Sequence, residues 1–434
     1  MTTGRSGGAP GSRLELDAPR GEVPPTEVRA ADWRRRWWVL VAVLGPGVLA
    51  MVGENDGPSM ISYAATGRAY GVGLFLPFIL VTFAVAGVCQ EMCMRVGAVT
   101  RRGFGELVYQ RYGRLWGAMA AGDLVVSNFV TLVAEFIALR VGLGYFGVGA
   151  PVSVLLGSGL VVAGSAGQRY RRWERRALVL AVFNLLFVAA AVAAGSTLED
   201  LGRSFATTSP LGSPKGQLLL LVASTIGATV TPWMVFFQQS AVVDKGFGRA
   251  DIGRGRLDLA IGAAVAAVCA GGAYLAAAAS RGGTGPIADL VAPVARPLFA
   301  LGLVEAGGLA ILTISASGAY AVGECLGVPH SFDAPMRRAR LFYGTDLVVP
   351  VLAGVVSVLP GLPLLEVVID ANVLATVLLP VTLVFLVLLA NDRYLMAEAA
   401  NSPRANLLAA TVVVLVIVAG SAAAIQGLLS AVRT

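Results

Sequence analysis

Charge is scarce in this sequence. Only 14% of its 434 residues are Asp, Glu, Lys or Arg, where a soluble domain carries about 25%. Histidine is nearly absent: the one imidazole, His330, lies in a polar connection, which nearly excludes histidine catalysis and leaves no His cluster for a metal. The four cysteines, Cys89, Cys93, Cys269 and Cys325, fall inside or at the ends of apolar segments, which excludes a disulfide scaffold. No phosphate-cradling glycine loop and no nucleophile-and-base pair is found, so the chain is read as a non-enzyme without a cofactor. What is plentiful is apolar sequence, at 56% of residues with a mean hydropathy of +0.75. A chain of this composition belongs in a lipid bilayer.

Apolar stretches of the ~20 residues needed to cross occur near 40–66, 71–97, 116–142, 150–166, 177–195, 217–242, 257–280, 298–326, 341–359, 365–390 and 405–429. They predict an all-α membrane protein of eleven transmembrane helices. Residues 1–32 are polar, rich in Gly and Pro and dotted with Arg, and are expected to be a disordered cytoplasmic tail. No cleavable signal peptide is read, because the first apolar run starts too late and is too long. With eleven spans, the N-terminus and the even-numbered connections share one side, which carries 25 Lys and Arg against 6 on the other. That bias predicts a cell-membrane protein with a cytoplasmic N-terminus and an extracytoplasmic C-terminus. It also accounts for the net charge of +7 without any nucleic-acid partner. Trp33, Trp37 and Trp38, beside Arg34 to Arg36, read as an interfacial anchor for span 1.

Two spans are interrupted. In span 1, Gly53-Glu54-Asn55-Asp56-Gly57-Pro58-Ser59 puts two carboxylates, an amide, a hydroxyl and a Gly-Pro pair in mid-span. One carboxylate at a helix centre costs about 2.5 to 3.5 kcal/mol, so such a break is kept for a purpose. An extramembrane turn here would leave flanking pieces too short to cross. In span 6, Gly227-Ala228-Thr229-Val230-Thr231-Pro232-Trp233 contains a proline that removes a donor and frees carbonyls near Ala228 and Thr229. Breaks five spans apart are what two inverted five-helix units would produce, with a midplane site between them. The first unit is placed at 33–195, the second at 217–390, and residues 391–434 supply a loop and helix 11. Oxygen ligands with net negative charge suit a hard cation.

Taken in order, Gly45-Pro46-Gly47, the acidic break, Gln90-Glu91, Arg95-Val96-Gly97-Ala98-Val99-Thr100, Gly105-Glu106-Leu107, Ala134-Glu135, Gly-Ala-Thr-Val before Pro232 and Asn391-Asp392-Arg393-Tyr394-Leu395-Met396 resemble the Nramp divalent-metal transporters. The likeness covers nearly the whole chain beyond Trp38. It implies a LeuT-like fold with a metal site between broken helices 1 and 6. The family's Asp-Pro-Gly-Asn corresponds to Asp56-Gly57-Pro58-Ser59, and its Met-Pro-His to Thr231-Pro232-Trp233. The anionic ligand survives, but a hydroxyl replaces the amide and the thioether is gone, and Asn372 stands where the family often has Gln. The expected metal set is Asp56, Ser59, Thr231, Gly53, Ala228, Glu54 and Asn372, in which Gly53 and Ala228 contribute carbonyls and Glu54 attracts the ion or sits in its outer shell. Without soft ligands, such a site favours Mg²⁺, Ca²⁺ or Mn²⁺, and its short side chains leave room for the waters Mg²⁺ retains.

The resemblance also locates what is missing. The family's titrating proton-path positions align with Leu132, Trp233 and Gln238, none of which titrates near neutral pH. The reading is a Mg²⁺ carrier, with Mn²⁺ as a second cargo, that works by alternating access without proton coupling and resembles the magnesium-transporting side branch. Glu54, Glu91, Asp123, Glu135 and Asp370 remain as carboxylates for another proton route. A proton-coupled Mn²⁺/Fe²⁺ importer and an organic-solute symporter of the same fold are the competing transport readings. The partners are the ion and the bilayer, with no obligate protein partner. Among the other polar residues, Glu135 is expected to pair with a cation on another helix, and Asp123 with Asn128 to line an aqueous path. Glu305, Tyr320 and Glu324 read as gate or packing groups, Cys89 and Cys93 as buried small hydrophobes, and His330 as a solvated loop residue.

Overall fold

Proline and glycine punctuation sets where the helices of this chain begin and end. The computed structural model describes residues 44–166, 169–207, 215–280 and 287–433. The expected tail at 1–32 and the tryptophan anchor lie outside the described residues. Span 1 is α1 (Pro46–Gly53) followed by α2 (Gly57–Tyr70), and span 2 is α3 (Phe75–Thr100). A short α4 (Phe104–Tyr112) leads into α5 (Arg114–Tyr145), and α6 (Ala150–Ser165) is span 4. Span 5 consists of α7 (Tyr170–Ala181), a 3-10 turn at Val182–Leu185 and α8 (Leu186–Ala193). After α9 (Leu198–Ala206), span 6 is formed by α10 (Lys215–Gly227) and α11 (Pro232–Lys245). Spans 7 to 10 are α12 (Ile252–Ala278), α13 (Arg296–Leu326), α14 (Arg340–Ser357) and α15 (Leu364–Asn391), and α16 (Arg393–Met396) precedes span 11, α17 (Pro403–Arg433).

The described residues contain no strand, in keeping with the expected all-α class. Among them, nine helices are long and apolar enough to cross a membrane. The other two expected spans are the interrupted span 1 and the shorter apolar α6. A proline in the first turn starts α1, α2, α6, α11 and α13, where its missing N–H would be unpaired anyway. Glycines with positive φ end four helices: Gly71 (φ 67°) after α2, Gly113 (φ 93°) after α4, Gly246 (φ 82°) after α11 and Gly327 (φ 64°) after α13.

Of the spanning helices, α13 is the most buried and α17 the least. α13 packs along α5, while α12 runs against α1, α2, α3 and α8 and forms a wall for the broken span. This wall also holds the start of α1. The Asp258 carboxylate of α12 accepts from the N–H groups of Gly45 (2.8 Å), Gly47 (2.8 Å) and Val48 (3.3 Å), three of the donors that a helix N-terminus leaves unpaired. Lys245 at the end of α11 adds a bond from Nζ to the Leu44 carbonyl (3.2 Å) and an ion pair with Glu174 (2.9 Å). Both breaks are therefore built into a tightly held frame.

α2 and α12 approach so closely that Gly67 lies against the Tyr274 carbonyl, with the Tyr274 carbonyl carbon at 3.1 Å and the Ala278 nitrogen at 3.3 Å from where a Cβ would stand. All three atoms are backbone and cannot turn aside. Gly67→Ala should therefore cost about 1–3 kcal/mol, read as a lowered thermal unfolding midpoint in detergent. An unchanged midpoint would show that the two helices are not held at this spacing.

Candidate functional site

α1 stops at Gly53 because the next residues are used elsewhere. In a continuous helix the Gly57 N–H would return to the Gly53 carbonyl, but here it donates to Glu135 Oε2 of α5 at 3.1 Å. Asp56 caps α2, its Oδ1 accepting from Ser59 N at 2.8 Å. Two carboxylates thus meet the positive end of α2, and Glu54, Asn55, Asp56, Ser59 and Glu135 are all buried.

Span 6 breaks for the reason its proline gives. Pro232 cannot donate to the Ala228 carbonyl, which accepts instead from the Tyr63 hydroxyl of α2 at 3.1 Å. That hydroxyl is also 2.8 Å from Thr229 Oγ1. Thr231 stands at the start of α11 and donates its hydroxyl to the Glu54 carboxylate, 3.0 Å from Oε1 and 3.2 Å from Oε2. The two breaks are therefore joined directly, acid to hydroxyl. Asn372 of α15 closes a third side: its carbonyl packs on Gly227 and accepts from Thr376 Oγ1 at 3.2 Å. All seven sequence-expected positions, Gly53, Glu54, Asp56, Ser59, Ala228, Thr231 and Asn372, are buried and border these breaks.

Three oxygens at the α2 end of the site, Asp56 Oδ2, Ser59 Oγ and Glu135 Oε1, are buried without a well-formed hydrogen bond among the described residues, although the Asp56 carboxyl lies within reach of the Ser59 hydroxyl and the Glu135 carboxyl. Oxygens buried in this way need a cation or water. The described residues contain no group of three or more His, Cys, Asp or Glu side chains able to hold a metal. Neutral oxygens and water would thus make up most of an ion's shell, as hard cations allow. Of the three positions expected to have lost titrating groups, Leu132 and Gln238 are buried, and both Gln238 amide atoms lack partners. Trp233, also buried, lays its ring 3.1 Å from the place of a Gly53 Cβ. It fills the space beside the break.

Glu135 overturns one expectation. Among the described residues it pairs with no cation; its place on the Gly57 amide makes it part of the site, because α5 brings it to an amide that the break has freed. Sequence reasoning also missed a buried relay behind the break. Asn55 Nδ2 donates to Asn184 Oδ1 and to the Ala266 carbonyl, both at 2.8 Å. Asn184 Nδ2 in turn donates to Glu305 Oε2 at 3.0 Å and to the Asn55 carbonyl at 3.4 Å. Asn184 sits in the 3-10 turn of span 5, so an Asn inside an apolar run was the available signal. Of the other groups, Glu91 is engaged by Arg95 (3.0 Å) and Arg256 (2.8 Å). Glu324 accepts from Gly105 N at 2.8 Å and from Ser240 Oγ, and Tyr320 donates to Asp244 at 2.8 Å. Asp123 is 3.4 Å from Thr382 Oγ1, and Asn128 donates to the Ile314 carbonyl at 3.3 Å. Cys89 and Cys93 are free and fully buried, as expected of packing thiols. His330 is half-buried rather than solvated, because it folds back onto Gly323 of α13.

Comparison with known proteins bears on the family and the fold. Residues 47–426 match the natural resistance-associated macrophage protein-like (Nramp) family. The divalent metal cation transporter MntH of Bradyrhizobium diazoefficiens is 25% identical over 394 residues, covering 85% of each chain. The manganese transporter of Eremococcus coleocola has the same fold, with a TM-score of 0.72 at 18% identity over 91% of this chain and 88% of that one. MhsT, solved with L-phenylalanine, is a looser structural relative, with a TM-score of 0.55 at 15% identity over 88% of this chain and 98% of that one. The fold is LeuT-like, with inverted five-helix repeats and broken helices 1 and 6.

The relay makes a prediction. Asn184→Leu, close in size, leaves Glu305 buried without its donor and should destabilise the protein by about 2–4 kcal/mol. Glu305→Gln retains an acceptor oxygen and should cost no more than about 1 kcal/mol. Chemical unfolding in detergent distinguishes the two, and equal losses would show that the relay is not a unit.

Proposed function

The chain belongs to the Nramp family and is a divalent metal cation transporter, and we propose that its physiological cargo is a partly hydrated Mg²⁺, with Mn²⁺ as a second cargo, carried without obligatory proton coupling. The proposed ligands are Asp56, Ser59, the Gly53 and Ala228 carbonyls, Thr231 and Asn372. Glu54 acts through its bond with Thr231, and Glu135 lies at the α2 end of the site. The observation that carries this reading is the set of buried oxygens without a well-formed hydrogen bond, Asp56 Oδ2, Ser59 Oγ and Glu135 Oε1. A hard cation that keeps water satisfies such atoms through short bridges, as Mg²⁺ does. The threonine before Pro232 supplies no soft ligand.

Leu132, Trp233 and Gln238 support the absence of coupling, since none exchanges a proton near neutral pH. Two charges entering a cell gain about 4.6 kcal/mol per 100 mV of membrane potential, which can drive uptake without a co-ion. On this reading residues 33–195 and 217–390 are the inverted repeats that alternate around the site. The arginine bias supports a cytoplasmic N-terminus and an extracytoplasmic C-terminus.

Purified protein in liposomes, offered Mg²⁺, Mn²⁺ and Cd²⁺ separately while internal pH is recorded, should take up Mg²⁺ without acidification. Mn²⁺ or Cd²⁺ uptake with acidification and no Mg²⁺ uptake would establish the proton-coupled alternative. Asp56→Ala should abolish uptake while the protein still folds, its stability lowered only by the lost α2 cap, about 1 kcal/mol. Thr231→Met, which adds a thioether, should raise Cd²⁺ uptake relative to Mg²⁺ by about ten-fold. An unchanged ratio would remove Thr231 from the site.

A further inference from the structure

Away from the ion site, a groove of about 370 Å³ opens on the outer face of the bundle between α3, α12 and α17. Its floor is made of small or flat residues in helical register, among them Ala84, Gly87 and Val88 on α3 and Ala260 and Ala263 on α12. Gly87 faces open space, with nothing within 4 Å of a Cβ placed there. From Ala84 to Arg95 the groove runs about 16 Å along α3, a length suited to much of an acyl chain.

One end of the groove is charged. Arg95 and Arg256 share the single carboxylate of Glu91, which leaves one net positive charge. Each nitrogen of the Arg95 guanidinium has a protein partner, because it also bonds to the Ala399 carbonyl (2.5 Å) and Asn401 Oδ1 (2.6 Å). Arg256 differs: its Nε and Nη2 donate to Glu91 at 3.0 and 2.8 Å, while Nη1 has no protein partner among the described residues and the side chain is 58% exposed. Glu91 thus holds the guanidinium in place with one donor edge turned outward. A long apolar trough with one oriented, unneutralised guanidinium at its mouth has the chemistry of a phospholipid-binding site.

We propose that this groove is a specific site for a phospholipid with an anionic headgroup, the phosphate held by Arg256 and one acyl chain lying over Gly87, Ala260 and Ala263. Charge complementarity selects the anionic class: a zwitterionic headgroup brings its own cation to a site that already has excess positive charge. The lipid would also brace the frame of the ion site, since Arg256 is two residues from Asp258, the cap of α1.

Native mass spectrometry of the full chain in detergent, titrated with phosphatidylglycerol or phosphatidylcholine of the same acyl chains, tests this. The first phosphatidylglycerol should bind about five-fold more tightly than the first phosphatidylcholine, the preference one arginine confers. Arg256→Gln should remove the preference and leave phosphatidylcholine binding unchanged. Ala260→Phe, which fills the trough from an exposed position, should weaken both lipids. Equal binding of the two lipids by the unmodified protein, or a preference that survives Arg256→Gln, would overturn the assignment. Should Arg256→Gln lose its fold, unaltered binding by Ala260→Phe would overturn it independently.

Discussion

Breaking two helices in the middle of a membrane creates a debt of unpaired backbone groups and buried carboxylates, and the rest of this structure is organised around meeting it. Hydrocarbon offers no hydrogen bonds. Each group released by the breaks must find a protein partner, a water or an ion. Glu135 receives the amide that Gly53 loses, and Tyr63 donates to the carbonyl that Pro232 leaves unpaired. Glu54 and Thr231 join the two breaks across the bundle. The oxygens left over lie where the proposed ion would sit.

The supporting groups are as exacting as the site. Asp258 fixes the start of α1 through three amides, while Asn55, Asn184 and Glu305 hold the middle of span 1 against spans 5, 7 and 8. These residues would bear on ion binding only through the geometry they impose on Asp56 and its neighbours.

Much of this was legible in the sequence because breaks have local signatures. A proline, a glycine pair and two acids inside an apolar run identify the break in span 1, and Pro232 taken together with that break identifies the one in span 6, so the eleven spans and both breaks agree with the helices observed. Partners across the bundle have no such signature. Glu135 lies 78 residues from the amide it receives, and sequence alone favours an ion pair with another helix for it. Asn184 and Asp258 were passed over for the same reason: their meaning lies in which backbone they reach. The polar surroundings of His330 suggest a solvated side chain and do not reveal that the chain folds back onto Gly323.

The central claim is positional: the transported ion rests between the two breaks, on Asp56, Ser59 and the Ala228 carbonyl. Mn²⁺ fits the same oxygen set and scatters anomalously, so crystals of the protein grown with Mn²⁺ give the most direct test. The account predicts one anomalous peak within coordination distance of Asp56 and the Ala228 carbonyl, and its loss in Asp56→Ala. A peak elsewhere, at Asp123 or Glu305 for example, or a peak at the breaks that persists without Asp56, would contradict it.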